Sequence, residues 1–273
     1  MERLQLAILS LGIINASLYS ALLPLWEGFD EPAHYGNVES LWRLHRFSVL
    51  GQTTFPGDVV ASFRYAPGSY LMRRWRPETV TYEEWFALTP AERERLRGDL
   101  DSLRSDVPAS TETNYEAHHP PLAYVVLASI DRFSSGRPIT TRILILRLFG
   151  AICSVVLLFF GTLALCRELR LREPYSSALP FTIFCDQMFY ATTAHVANDW
   201  LAIPLAAWCF ASVAAYVNRP CGRRLSVAAV WLALGLLTKA YFLALAIWVA
   251  VVVVAMAWKG ALRFGLYWLG QPW

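Results

Sequence analysis

Between Leu225 and Trp258 the chain runs for 34 residues with a single charged side chain, Lys239. About 20 apolar residues carry a helix across the hydrocarbon core of a bilayer, so this run is too long for one ordinary span and slightly short for two. A lysine at the bilayer centre costs about 2.5–3.5 kcal/mol even on insertion scales. A hairpin turning at Thr238-Lys239 brings the ammonium to the surface instead. The flanks agree, since Arg223-Arg224 precede the run and Lys259 and Arg263 follow it, and basic flanks mark cytoplasmic ends.

Four further apolar runs have spanning length: Leu4–Leu23, Ile143–Leu165, Tyr175–Ala194 and Asp199–Val217. The sequence is 56% hydrophobic and 16% charged, with a mean hydropathy of +0.37, whereas soluble domains carry about a quarter charged residues. Met1-Glu2-Arg3 leads the first run, which is too long for a signal-peptide core and lacks a small-residue cleavage site. It reads as a retained helix. With the N-terminus inside and six spans, Arg167, Arg170 and Arg172 and then Arg219, Arg223 and Arg224 all fall on the cytoplasmic side, as short loops should. The expected architecture is therefore an all-α membrane protein of about six transmembrane helices. Residues 1–23 form the first span, 24–142 a large exoplasmic loop bearing short juxtamembrane helices, 143–258 the other five spans, and 259–273 a cytoplasmic tail.

Within the loop, Thr81-x-x-Glu84 and Thr89-Pro90-Ala91-Glu92 are capping-box signatures that predict two short helices. The stretch His119–Phe133 is apolar but about 15 residues long and opens on two prolines. Counting it as a span would place the arginine clusters outside, so it is expected to be an interfacial or re-entrant helix. The five cysteines lie in or beside apolar runs, which excludes a disulfide framework and offers no paired metal-ligand spacing. A formal charge of +3, with arginines in short clusters, gives no basis for nucleic-acid binding. Arg43, Arg46 and the cluster Arg73-Arg74-Arg76 are expected to be solvated or to touch lipid headgroups.

The topology gathers polar groups at one membrane edge. Asp30, Glu31 and His34 follow the first span; His118 and His119 precede the short helix. His195, Asn198 and Asp199 lie between the third and fourth spans, and Lys239 lies at the last hairpin tip. Each has a plainer reading beside the functional one. Asp30 or Glu31 suits the N-cap of a helix begun by Pro32, with His34 four residues on along one face. His118 and His119 diverge as i and i+1 neighbours, which makes them a poor metal clamp for one another, and Glu116 is a third candidate beside them. Asn198 or Asp199 suits the cap of the fourth span. Lys239 either marks the tip or neutralises an anionic phosphate.

The order of these motifs resembles the GT-C superfamily of integral-membrane glycosyltransferases. It runs from Asp30-Glu31-x-x-His34 through His118-His119-Pro120-Pro121-Leu122-x-Tyr124 and Arg147-Leu148-Phe149-Gly150 to Asn198-Asp199 and Thr238-Lys239. It is close to the bacterial relatives of protein O-mannosyltransferases and of the lipid A aminoarabinose transferase. The Asp-Glu-Pro-Ala-His string and the Asn-Asp pair also resemble a group of uncharacterised bacterial membrane proteins. The resemblance implies an inner-membrane enzyme that inverts configuration while moving a sugar from a polyprenyl-phosphate donor to a lipid, glycan or protein acceptor on the exoplasmic face. Asp30 and Glu31 would be the catalytic carboxylates. His34, His118, His119, Asn198 and Asp199 would line the substrate site, and Lys239 would meet the donor phosphate. Some members of that superfamily use a divalent metal ion and others do not. The aminoarabinose enzymes carry a Glu-Lys pair where this chain has His118-His119, so their metal arrangement does not transfer directly. Such enzymes usually continue through further spans, so a C-terminally truncated chain is the expectation. The alternatives are a transporter or lipid-binding subunit, which calls for polar residues at bilayer depth, and an inactive remnant.

Overall fold

The computed structural model describes residues 3–28, 30–103 and 109–269, with side chains as far as 259. The first apolar run forms α1 (Arg3–Leu22), which ends before Pro24, a residue that cannot continue the hydrogen-bond ladder. The polar segment then folds as a cap of short helices: α2 (Glu31–Arg43), α3 (Gly57–Ser62), α4 (Tyr70–Trp75), α5 (Tyr82–Ala87) and α6 (Pro90–Ser102). A two-stranded parallel bridge, β1 (Pro67–Gly68) with β2 (Val80–Thr81), ties the middle of it together. Both expected capping boxes are present. Thr81 caps α5 with Glu84 reaching back, and Thr89 caps α6 with Glu92 reaching back. A 3-10 turn (Tyr115–His118) leads into α7 (Leu122–Phe133), the short apolar helix. At 12 residues it is about 18 Å long and does not span. It packs along α2.

The remaining chain is the bundle: α8 (Ile139–Glu168), α9 (Tyr175–Phe184), α10 (Gln187–Thr193), α11 (Asp199–Asn218), α12 (Gly222–Leu236) and α13 (Phe242–Leu269). Among the described residues, four helices are long and apolar enough to cross a membrane: α1, α8, α11 and α13. The other two expected spans are shorter. Tyr175–Ala194 is interrupted at Cys185-Asp186, where the Asp186 carboxylate takes the Met188 amide and starts α10. The fifth run gives only the 15 residues of α12. The hairpin expected at Lys239 is there, with α12 and α13 turning back on each other through 237–241.

Helix α8 is the mast of the fold. Its 30 residues are about 45 Å long against a hydrocarbon core of about 30 Å, so it is longer than an untilted span needs. Small residues let neighbours close in on it. A methyl at Gly150 would touch the Trp200 ring at 3.1 Å, and one at Gly161 would meet the Ala207 Cβ at 3.1 Å, both on α11. Such contact replaces the hydrophobic drive that lipid cannot supply between helices. Two cores result. One joins the cap to the first turns of α8 through Trp26, Tyr35, Phe55, Val59, Phe63, Leu127, Ile143 and Leu146. The other lies within the bundle around Ile8, Val155, Phe159, Phe184 and Phe189. Helix α13 presents Leu243, Ile247, Val251 and Val254 outward, a face suited to lipid rather than water.

Candidate functional site

The C-terminal end of α1, the first turns of α8, the α10–α11 connection and the α12–α13 tip all lie at one end of the bundle, beneath the cap. Three interactions fix this. The Leu122 amide at the start of α7 donates to the Leu237 carbonyl at the hairpin tip, at 2.9 Å. The Val196 amide donates to Glu31 Oε1 at 2.8 Å. The Asn198 Nδ2 donates to the Thr238 carbonyl at 3.2 Å. The polar residues singled out in the sequence therefore do gather from four separated segments.

Asp30 and Glu31 are neighbours with opposite fates. Glu31 is fully buried, and Arg147 of α8 grips its carboxylate with Nε at 2.7 Å and with the Nη2 amine. The same guanidinium donates to the Leu23 and Pro24 carbonyls at 2.5 and 2.9 Å, satisfying the open end of α1. Glu31 thus ties α1, α2, α8 and the α10–α11 connection together. Both of its oxygens are committed to interior donors. Asp30, one residue earlier, sits at the N-cap position of α2 with φ 53°, in the left-handed region, and its side chain makes no cap bond. Its exposed carboxylate instead accepts from the Tyr115 hydroxyl at 2.7 Å. Such a conformation costs a non-glycine residue of order 1 kcal/mol or more, and here it turns the carboxylate outward. Gly28, two residues earlier, is required by packing, since a methyl there would overlap the His195 Cβ.

His34, one turn into α2, is buried and its Nδ1 lies 2.7 Å from the Tyr124 hydroxyl of α7. Burial pushes its pKa down to about 3, with the charges of His119, His195 and Lys239 adding and that of Glu116 opposing, so it is a neutral imidazole at ordinary pH. Its ring stacks on His119, centroids 5.5 Å apart. His119 Nε2 is 2.5 Å from Glu116 Oε2, and this contact holds the Glu116 carboxyl below the usual range despite partial burial. One ligand atom from each of His34, Glu116 and His119 lies within 4.8 Å of the others. The turn that carries Glu116 is built onto α2. Asn114 Nδ2 donates to the Ala33 carbonyl at 2.7 Å and to Asn37 Oδ1 at 3.2 Å, and Asn37 Nδ2 donates to the Glu116 carbonyl at 2.9 Å. His118, in contrast, is exposed and its Nδ1 rests on the Tyr115 carbonyl at 2.8 Å.

At the hairpin tip, Lys239 Nζ lies 2.6 Å from both carboxylate oxygens of Asp199. The pair keeps partial access to solvent, at 25% and 16% exposure of the two side chains. Asn198 holds the N-cap position of α11 but makes no side-chain cap bond, spending its amide on Thr238. His195, between α10 and α11, rests its Nδ1 3.0 Å from the Ala191 carbonyl.

Sequence reasoning missed a second polar cluster deeper in the cap. Arg142 of α8 forks onto Asp131 of α7 at 2.9 and 2.6 Å, with Glu39 and Asp58 at 3.9 and 4.0 Å. Trp42 Nε1 donates to Asp131 Oδ2 at 2.7 Å. Arg43, expected to be solvated, is bound to Glu39 at 2.8 Å. Burial and the charge of Asp58 push the Glu39 carboxyl up to about 8. Arg73 and Arg76 are paired as well, with Glu84 and Glu112, and the Arg76 guanidinium lies over the Phe55 and Phe63 rings. These are structural ties rather than a phosphate cradle.

A family model described as "Predicted membrane protein (DUF2142)" matches residues 15–270, and the chain belongs to that family. No curated protein and no solved structure matches it.

Proposed function

We propose that this member of the DUF2142 family is a glycosyltransferase acting at the exoplasmic edge of a bacterial inner membrane, with the N-terminus of the chain in the cytoplasm. It moves a sugar from a polyprenyl-phosphate donor to a lipid, glycan or protein acceptor, with inversion. The observation that carries this reading is the placement, beneath one cap, of an outward carboxylate (Asp30) and a solvent-accessible ammonium (Lys239) among the buried groups of α2, α7 and α11. A single displacement needs these two functions: a base for the acceptor and a cation for the leaving group.

In the proposed step the acceptor oxygen attacks the anomeric carbon and forms the new glycosidic bond. The bond from that carbon to the phosphate oxygen breaks, and polyprenyl phosphate departs with the electron pair. Asp30 takes the acceptor proton. Lys239, released in part from Asp199, neutralises the departing phosphate. Tyr115 orients the Asp30 carboxylate, and His118, on the exposed edge of the same turn, contacts the acceptor side. Glu31 is a positioning residue that acts by holding α2 to Arg147. The apolar face of α13 and the lipid surface beside it bring the prenyl tail to the site.

The test is transfer of radiolabelled sugar from a polyprenyl-phosphate donor in membranes carrying the Asp30→Asn variant. Loss of a general base lowers turnover by about 10²–10⁴-fold, while Asn still accepts from Tyr115 and the variant inserts normally. Undiminished transfer by Asp30→Asn removes this carboxylate from the reaction and with it the proposed mechanism.

A further inference from the structure

We infer that His34, Glu116 and His119 form a binding site for one divalent transition-metal ion, zinc by donor chemistry. Its role toward the leaving phosphate rests on the transferase reading; the binding does not.

Two imidazole nitrogens and one carboxylate are a borderline donor set. Zinc and its neighbours favour it, whereas magnesium and calcium call for oxygen donors throughout. Three protein ligands also leave a fourth position open, as reactive rather than structural zinc sites do. Ligand atoms around a tetrahedral zinc stand about 3.3 Å apart, from bond lengths of about 2.0–2.2 Å. Those of His34, Glu116 and His119 already lie within 4.8 Å of one another, so rotamer adjustments of up to about 1.5 Å reach the tetrahedral spacing.

The surroundings are arranged as metal-binding histidines require. Tyr124 occupies His34 Nδ1 at 2.7 Å, which leaves Nε2 for the ion and, with the ion bound, makes Nδ1–H the donor to the hydroxyl. Such an outer partner fixes the ring and its tautomer. Glu116 is locked in place through the Asn37 bond to its own carbonyl and the Asn114 bridge to α2. His119 Nδ1 is buried with no hydrogen-bond partner among the described residues, so the protein alone leaves this imidazole half satisfied. His118 is outside the set: the mutually close ligand atoms are those of His34, Glu116 and His119, and the His118 side chain faces solvent with Nδ1 on the Tyr115 carbonyl. The three ligands come from two elements far apart in sequence, α2 and the 115–119 turn, and they meet only because the fold has formed. Within the transferase reading, an ion held by His34, Glu116 and His119 would add its positive charge to that of Lys239 toward a departing phosphate.

The experiment uses the full chain in detergent, stripped with a chelator and then titrated with zinc alone. Bound zinc is measured by elemental analysis after desalting, and affinity by calorimetry. The expected result is about one ion per chain, lost in Glu116→Gln and His119→Gln and retained in His118→Ala. Tyr124→Phe removes no ligand and spares the fold; it should weaken binding by about 10–100-fold. Cobalt in place of zinc should give the visible spectrum of a four-coordinate nitrogen and oxygen site. A wild-type chain that holds no zinc after desalting, zinc retained in full by Glu116→Gln, unchanged affinity in Tyr124→Phe, or binding abolished by His118→Ala each overturns the assignment. Zinc bound with these dependences but no sugar transfer leaves the metal site standing and removes the transferase reading. Transfer by a chain that binds no zinc does the reverse.

Discussion

The Glu31–Arg147 pair offers the sharpest test of how the site is held. Both side chains are buried, at 0% and 4% exposure, and the carboxylate also takes the Val196 amide at 2.8 Å. Replacing Glu31 by Gln keeps Oε1 for the Val196 amide and Arg147 Nε but puts an amide NH2 against Arg147 Nη2, leaving a buried guanidinium with only neutral acceptors. Breaking one partner of a buried ion pair costs about 3–5 kcal/mol. For a chain of this size that corresponds to a fall in Tm of about 10 °C, at roughly 2–4 °C per kcal/mol. Arg147→Met should cost a similar amount, because it strands the carboxylate and the α1 carbonyls together. The double variant removes both charges, so it should be more stable than the sum of the two losses by about 2 kcal/mol or more. Thermal unfolding in detergent, followed by tryptophan fluorescence, reads all four proteins. Additive losses, or a Glu31→Gln variant as stable as wild type, would show that this pair is not the tie that holds α1, α2 and α8.

Two further outcomes are expected. Glu39 carries a pKa of about 8 against the ordinary 4.5, so the folded protein keeps a proton that the unfolded chain releases, and stability should fall as pH rises through that window, by up to about 1.4 kcal/mol per pH unit. Glu39→Gln should flatten that slope between pH 5 and 8, and an unchanged slope of Tm against pH would reject the buried proton. For sidedness, a cysteine placed at Ser110 in a chain otherwise free of cysteine should react with an impermeant maleimide added outside intact cells, whereas the native Cys221 alone should not; labelling only at 221 would invert the proposed orientation.

What the sequence could and could not reveal follows from range. The positions of α1, α8, α11 and α13 were legible because lipid imposes a composition on each run separately. The hairpin at Lys239 was legible because a central lysine is costly. Capping boxes were legible because Thr81 and Glu84, or Thr89 and Glu92, are three residues apart. The break at Cys185-Asp186 was not, since one carboxylate in an apolar run gives little warning that it will cap a new helix. The Glu39–Asp58–Asp131–Arg142 cluster draws one residue from each of α2, α3, α7 and α8, and no local period records such a meeting. His118 and His119 read as a poor clamp for one another with Glu116 as a third candidate, and the partner of His119 is Glu116. The signal was available in the i, i+3 spacing of Glu116-Ala117-His118-His119, which a single turn brings onto one side.

The adjacent acids Asp30 and Glu31 show how one short string can carry both a site and its foundation. Along an ordinary helix start the two would diverge by about 100° and either could cap the amides that follow. Here the left-handed turn at Asp30 separates them further, sending Glu31 inward to Arg147 and Asp30 outward to Tyr115. The N-terminal turns of α8 make this possible. Arg142 and Arg147 both lie in its first ten residues, and both are buried against cap carboxylates, so neither guanidinium is left as an unpaired charge. Each instead binds one carboxylate from the cap: Arg147 holds the Glu31 end of α2, and Arg142 holds Asp131 near the end of α7. With α2 and α7 each fastened to the same mast, the face between them, where His34 meets Tyr124 and the 115–119 turn, is fixed by two charged anchors rather than by loop chemistry.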